Sequence, residues 1–298
     1  MRRTSKTMMV LLFLLLFMLF ITGVELNRLS TQLLVKEIEH RGINYDTFRE
    51  MKLSGENLEK AQKRIDGLFI KYPVLKRAKG IDPIAYLTFC MLVKDFDLKG
   101  ERLIDEMVFI KALPAISLSS GYGRLYRYYK AVLKDIKYFP IPRIEGDAED
   151  IAYVDTWSEL RSYGGKRRHE GTDIMAKNKI RGYYPIISIT DGVVEKMGWL
   201  EQGGYRVGIR STSGGYFYYA HLADYADGMK EGDVVIAGQL LGFMGDSGYG
   251  KEGTIGQFDV HLHLGIYVET DTGELSVNPF YILKLLEKNR LVYPDLYD

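Results

Sequence analysis

A chain of 298 residues, 46% hydrophobic and 27% charged with 31 Gly and 8 Pro, has a globular composition and not a disordered, collagenous or coiled-coil one. At roughly 100–200 residues per domain it has room for two domains. The formal charge of +1 gives no electrostatic reason to expect a nucleic-acid partner, and the lone Cys90 excludes an intramolecular disulfide framework and a thiolate zinc cluster.

Residues Met8 to Ile21 read MMVLLFLLLFMLFI without a polar side chain, and Thr22, Gly23 and Val24 extend the uncharged stretch to Glu25. Arg2, Arg3 and Lys6 precede it. Its length falls between a signal-peptide core and a full span of about 20 residues. The small-residue cleavage candidate around Thr22-Gly23 is flanked by bulky Ile21 and Val24, which favours an uncleaved transmembrane helix over a signal peptide in residues 1–26. The positive-inside rule keeps the basic tip cytoplasmic and puts everything after Glu25 outside, with the membrane as one partner. Either reading exports the rest of the chain.

Residues 27–142 carry no catalytic pattern and read as a small helical domain, or as helices that brace the next domain. Leu33, Leu34 and Ile38, then Phe48, Met51 and Leu53, then Leu58, Ala61, Ile65, Leu68 and Phe69 have helical spacing. Ser54 and Asn57 are capping residues for the last of these, and Pro73 should end it. Two further helices are expected over Ile84–Val93 and Leu103–Leu113, separated by the DFDLKGE turn. Tyr122, Tyr126, Tyr129 and Val132 repeat at helical spacing as core packing, and His40, among Glu37, Glu39 and Arg41, reads as a surface residue. Phe139-Pro140-Ile141-Pro142 cannot continue a helix and marks the boundary to residues 143–298.

From Tyr153 the texture changes to short β-rich runs separated by Gly: PIISI, Asp191-Gly192, VVEKMGW, then YRVGIR, SGG and YFYYAHL. These are hairpin signals. Val193-Val194 to Met197-Gly198 and Leu240-Leu241 to Met244-Gly245 have similar shapes and hint at a duplicated β-unit.

Three segments carry chemistry. In Asp259 to Val268, DVHLHLGIYV, strand alternation puts Val260, Leu262, Leu264, Ile266 and Val268 on one apolar face, with His261, His263 and Gly265 on the other. In Arg168-His169-Glu170-Gly171-Thr172-Asp173, the Asp and the Gly exclude the helical H-E-x-x-H motif. Fully extended, four steps of about 3.3 Å would separate His169 from Asp173 by roughly 13 Å, too far to share a metal bound about 2 Å from each. The chain must bend, and Gly171 is placed to let it. In Tyr218-Tyr219-Ala220-His221-Leu222, alternation gives His221 and Tyr219 one face, with Ala220 and Leu222 toward the core. One Asp and two His make an open, catalytic-type zinc site, with room for a water whose pKa zinc lowers to about 7. Two His are left over. Amide hydrolysis needs a base for the water's proton and a group that steadies the tetrahedral intermediate, and no Glu beside a ligand is an obvious base.

The HEGTD, YAHL and HLH segments, in that order, resemble the M23 (lysostaphin- and LytM-type) zinc peptidases. The resemblance covers roughly residues 153–280, including the Trp157–Arg161 stretch, Asp191-Gly192-Val193-Val194 and the EGDVVIAGQLLGFMGDSG run. It implies a mainly antiparallel β catalytic domain, similar to a duplicated hybrid motif, with long loops. By that resemblance His169, Asp173 and His263 hold one Zn2+, His261 is the general base, and His221 stabilises the intermediate or binds the zinc-bound oxygen. Tyr163 is a further candidate for the oxyanion site. The implied substrate is an amide bond in the peptide stems or cross-bridges of bacterial peptidoglycan. Gly182-Tyr183-Tyr184-Pro185-Ile186 is one residue longer than the family's G-x-P-V segment, and a longer Gly-Lys-Glu-Gly loop precedes the HLH strand.

The expected fold class is therefore α+β: a transmembrane helix, a small helical domain, and the β-rich catalytic domain with a short C-terminal helix. Two other functions compete. A catalytically silent scaffold or amidase activator of the cell envelope usually lacks one of these residues. A secreted zinc D,D-carboxypeptidase is expected to have wider His-to-Asp spacing and an additional Glu base.

Overall fold

The computed structural model describes residues 2–100, 102–146, 150–163 and 165–294. Helix α1 (Arg2–Arg41) carries the apolar run and continues without a break through Leu33, Leu34 and Ile38. Side chains from Met8 to Ile21 are exposed, and mean hydropathy reaches 2.6 within Met8–His40, long and apolar enough to cross a membrane. The side chains of Arg2, Arg3 and Lys6 lie outside the described residues, as do positions 295–298. Among the described residues Val35 is the first of α1 to be buried, and His40 is exposed.

Side-chain caps then decide where the short helices start. Asn44 accepts from Asp46 N and Thr47 N to open α2 (Tyr45–Arg49), Asp82 accepts from Ile84 N and Ala85 N to open α4 (Pro83–Val93), and Asp105 accepts from Met107 N to open α5 (Glu106–Ile116). That last cap shifts α5 from the expected Leu103–Leu113. Met51 adopts a positive φ, so α2 ends early, and Phe48, Met51 and Leu53 are buried from a short helix and the irregular turn after it. Before α3 (Asn57–Lys71), Asn57 Oδ1 accepts from Ser54 N at 2.6 Å, bracing the approach and not the helix start; Pro73 opens a 3-10 turn beyond the end. On α6 (Ser120–Leu133) the tyrosines pack as expected: Tyr122 donates to Ala85 O, Tyr126 to the Asp82 carboxylate, and Tyr129 meets Phe48 edge-on at 5.1 Å. Cys90 is buried in the same core, its thiol pushed up to about 11 by burial.

The strands of the second half are β1 (Arg143–Ile144), β2 (Ile151–Tyr153), β3 (Leu160–Arg161), β4 (Arg167–Arg168), β5 (Thr172–Ala176), β6 (Pro185–Ile187) and β7 (Gly192–Leu200). They continue as β8 (Gly204–Ser211), β9 (Tyr216–Tyr225), β10 (Val234–Val235), β11 (Leu240–Met244), β12 (His261–Thr270), β13 (Gly273–Val277) and β14 (Val292–Tyr293), with α7 (Phe280–Leu286) before the last. The main sheet is antiparallel with order β10-β7-β8-β9-β12-β5-β2; β13 pairs with β12, and β11 bridges β6 and β9. The look-alike stretches on β7 and β11 thus occupy separate places in it. The apolar face of β12 (Leu262, Leu264, Ile266, Val268) and Val260 just before it are buried, which leaves the histidine face outward.

The helical half and the sheet share one continuous core. A side chain at Gly215 would place Cβ 2.2 Å from Ala131 O, so glycine lets the start of β9 pass under α6. The Phe139–Pro142 connection is buried, and Arg290 locks it: Nε donates to Ile141 O at 2.7 Å, Nη2 to Pro142 O at 3.1 Å, and both terminal nitrogens to the Asp150 carboxylate. Arg290→Ala removes the donor to a half-buried carboxylate and two carbonyls, and urea unfolding should show stability lower by about 2 kcal/mol.

Candidate metal centre

The register between β5 and β12 pairs Asp173 directly with His263 and Met175 with His261. Directly opposed residues share a face, so both side chains project from the sheet on the side away from the aliphatic core. His169 precedes β5 in the loop leaving β4, anchored by its own N–H on Glu159 O at 2.8 Å and its carbonyl on Ser158 N at 2.9 Å. The bend before β5 brings His169 Nε2 to 3.1 Å from Asp173 Oδ1 and 3.0 Å from His263 Nδ1, while His263 Nδ1 lies 2.9 Å from the same oxygen. Gly171 does sit in that bend, but close approach is what requires it. A Cβ there would lie 2.4 Å from His263 Cε1 and 2.6 Å from Nε2.

The surrounding hydrogen bonds select tautomers. His169 Nδ1 donates to Thr156 O at 2.9 Å, which leaves Nε2 as a lone pair aimed at the cluster. Arg161 Nη2 also lies 3.0 Å from that protonated Nδ1, which has no lone pair to offer; its hydrogen bond goes to Asp173 Oδ2 at 2.9 Å. Asp173 therefore keeps Oδ1 for the centre. Burial works to raise its carboxyl pKa; with no metal bound, protons that the His169 and His263 rings share with Oδ1 outweigh that and hold it below the ordinary carboxylate range, and those protons must leave before the three atoms can act together as ligands.

The donor chemistry fits a zinc ion. Three convergent acceptors, two imidazole nitrogens and a carboxylate oxygen, repel one another unless a cation sits among them. Tetrahedral bonds of about 2.0–2.1 Å place donors about 3.3 Å apart, close to the 2.9–3.1 Å spacing here.

His221 reaches the site by a route that alternation does not foresee. Tyr219 is fully buried, its hydroxyl accepting from Ile189 N, so strict alternation would turn His221 into the core with it. A bulge between β8 and β9 shifts the register there, and His221 takes φ +64°. The extra residue swings His221 onto the groove face beside Tyr218, while Leu222 returns to the core. The expected shared face of Tyr219 and His221 is thereby corrected. His221 Nδ1 donates to Ser247 O at 2.8 Å and His261 Nδ1 to Asp259 O at 2.7 Å, so each presents Nε2 to the site. Their rings lie 4.7 Å apart, with Phe258 against both. Burial, and then the charges of His261 and His263, push His221 well below the usual imidazole value.

A model of peptidase family M23 matches residues 167–279. A candidate glycyl-glycine endopeptidase of Ruminococcus gnavus ATCC 29149, solved by crystallography, superposes with TM-score 0.67 at 43% identity, covering 84% of this chain and 93% of its own. The chain belongs to peptidase family M23. The L-Ala–D-Glu endopeptidase of Bacillus subtilis (strain 168) is 39% identical over 173 residues, 58% of this chain and 51% of that relative. Lysostaphin of Staphylococcus simulans is 30% identical over 102 residues, 34% of this chain and 19% of its own. The chain thus spans about half the length of one curated relative and about a fifth of the other.

In this M23 chain the centre lies in an open groove of about 870 Å³ walled by Tyr216, Tyr218, Tyr249, Phe258 and Tyr267. Among the described residues, all that line it lie at or beyond Arg161, and none comes from the helical half. Tyr163 stacks parallel on Tyr249 at 4.0 Å, at the rim and not among the lining residues. The longer Gly250–Gly253 loop is tied back to the β7–β8 hairpin through Trp199 Nε1 on Gly250 O at 3.3 Å and Gly250 N on Glu201 O at 3.2 Å. Sequence reasoning gave Arg161 no role, and the carbonyls of Thr156, Ser247 and Asp259 have no residue-type signature to read.

Two substitutions test this geometry. Gly171→Ala should lower zinc affinity at least tenfold in chelator competition with far-UV circular dichroism unchanged, because the methyl displaces His263. Arg161→Ala frees Asp173 Oδ2, and zinc affinity should fall about 10–100-fold by the same titration.

Proposed function

We propose that this chain is a membrane-anchored, extracytoplasmic zinc metalloendopeptidase that hydrolyses amide bonds in peptidoglycan peptide stems or cross-bridges. The observation that carries the reading is the convergence of His169 Nε2, Asp173 Oδ1 and His263 Nδ1 beside two further imidazoles whose Nδ1 atoms are each committed to a backbone carbonyl. The names of the relatives, an L-Ala–D-Glu endopeptidase and lysostaphin, support a cell-wall peptide as substrate.

His169, Asp173 and His263 would hold one Zn2+, which when bound polarises a substrate carbonyl and makes a water acidic near neutral pH. His261 is the general base. Its Nδ1–H is engaged on Asp259 O, so Nε2 is free to take a proton, and Asp173 Oδ1 at 3.8 Å steadies the imidazolium that results. His221 is buried and neutral at rest. The proton that His261 takes from the water is shared with His221 Nε2, whose ring lies 4.7 Å away, so His221 can donate to the oxygen of the attacked carbonyl before that proton passes on to the leaving amine. Phe258 against both rings limits water on that side.

Helix α1 supports anchoring. From Glu25 to Arg41 it rises about 24 Å at 1.5 Å per residue, enough to hold the groove clear of a lipid surface.

Purified peptidoglycan treated with the full chain should yield new amino termini by mass spectrometry, none after chelation, and the same termini once zinc is restored. His261→Ala should keep zinc and slow hydrolysis by about 10²–10⁴-fold, whereas Asp173→Ala or His263→Ala should lose the metal. Undiminished hydrolysis by metal-free protein would overturn the reading.

A further inference from the structure

Four arginines line the groove, and two of them are already engaged: Arg161 with Asp173, and Arg168 with Ser158 O at 2.9 Å. Arg167 and Arg206 differ. Arg206 Nη1 and Arg167 Nε are sealed from solvent with no hydrogen-bond partner among the described residues. Those two atoms are themselves out of a ligand's reach, but both side chains are half-buried and line the groove, so a carboxylate there would meet their remaining guanidinium nitrogens and offset two charges held in a partly dehydrated place.

The carboxylates around the groove do not fill that need. Glu274 is 2.8 Å from Arg210, Asp259 is 3.2 Å from Lys179, Asp173 is 2.9 Å from Arg161, and Glu170 is 3.9 Å from Arg49. The nearby phenol is not a counter-ion either, because burial pushes the Tyr218 hydroxyl up to about 12 despite the charges of Arg206 and Arg167 beside it. The groove therefore has two guanidinium groups in excess around Tyr218.

Sheet geometry places them close to the chemistry. Tyr218 pairs with Gly208 across β8 and β9 and with Gly265 across β9 and β12, and its ring lies 6.1 Å from that of His263. Arg206, two residues before Gly208, shares that face, two strand spacings or about 10 Å from β12. Arg167 comes from the opposite wall, two residues before His169. An extended peptide covers about 3.5 Å per residue, so an amide at the metal centre puts its neighbouring residue within reach of both.

We propose that Arg206 and Arg167 form a carboxylate-binding subsite beside the metal centre, which selects peptides bearing a free carboxylate on the residue next to the scissile amide. A γ-linked glutamyl residue carries such a group on its α-carbon, and a glycine bridge carries none. Bidentate geometry suits guanidinium to this task. The proposal rests on the peptidase reading for its substrate class, yet its test is a binding measurement.

Full-length zinc-loaded protein carrying His261→Ala, which spares the peptide, is titrated calorimetrically with L-Ala-γ-D-Glu-L-Lys. The comparison peptide has that α-carboxylate replaced by carboxamide. The acid should bind at least tenfold more tightly. In the same background Arg206→Met or Arg167→Met, which keep the apolar stem, should bring the two affinities within about twofold. Arg206→Lys should recover part of the difference. Zinc content and circular dichroism of each variant separate a lost subsite from a lost fold. Equal affinity for the two peptides, no binding of either, or a preference that survives both Met substitutions overturns the proposal. Preference for the acid without hydrolysis by protein retaining His261 would leave the subsite standing and sink the peptidase reading instead.

Discussion

Three proton acceptors held about 3 Å apart in a partly dehydrated cleft are the constraint on which this molecule turns. Left uncompensated, His169 Nε2, Asp173 Oδ1 and His263 Nδ1 would push one another apart, and a flexible support would let them go. The support is correspondingly stiff. Asp173 and His263 face each other across a paired register, and a one-residue slip would send Asp173 into the aliphatic core. Thr156 O orients His169, and Arg161 holds the far oxygen of Asp173. The face behind them, Val260 to Val268, is buried against the hydrophobic core.

The helical half acts on this constraint from behind. Arg49, at the end of α2, donates to Ser276 O and Oγ, lies over the Trp157 ring at 5.5 Å, and accepts Asn278 N through its carbonyl. Asn278 in turn donates to the Asp155 carboxylate. The segment from Asp155 to Ser158 that carries the His169 acceptor is therefore clamped between α2 and the sheet. Among the described residues the helices share a core with the sheet and do not line the groove, and α2 meets the metal loop from the side through Arg49.

Much of this was legible in the chain. Period-two alternation in DVHLHLGIYV gave the strand, its buried face and the direction of His261 and His263, because strand geometry leaves a side chain only two options. The bend that the distance from His169 to Asp173 demands is present, while Gly171 serves it for a different physical reason: the imidazole of His263 packs on it. His221 shows the limit. Alternation wrongly puts Tyr219 on the same face, since a bulge is an agreement between two strands and depends on residues of β8 that are distant in sequence from YAHL. The late start of α5 was within reach through Asp105, an ordinary cap that helical spacing alone passes over. The acceptors that fix the imidazole tautomers are main-chain carbonyls, and every residue type has one.

The same desolvation that makes the cluster hard to hold also prepares it for a metal. Proton and zinc compete for the same imidazole lone pairs, and metal binding must first displace any proton already there. Burial lowers the proton affinity of His263, with Asp173 working in the opposite direction, and lowers that of His221 with help from its neighbouring histidines. A proton on either His221 or His263 would raise the cost of one on the other, since their rings stand 5.9 Å apart. A single divalent ion avoids that repulsion by placing the positive charge at the centre, where Asp173 is already ionised to meet it. An exposed set of the same residues would bind protons more readily at mildly acid pH. Burial of this site therefore selects for the metal over the proton, and it does so through the packing of the sheet.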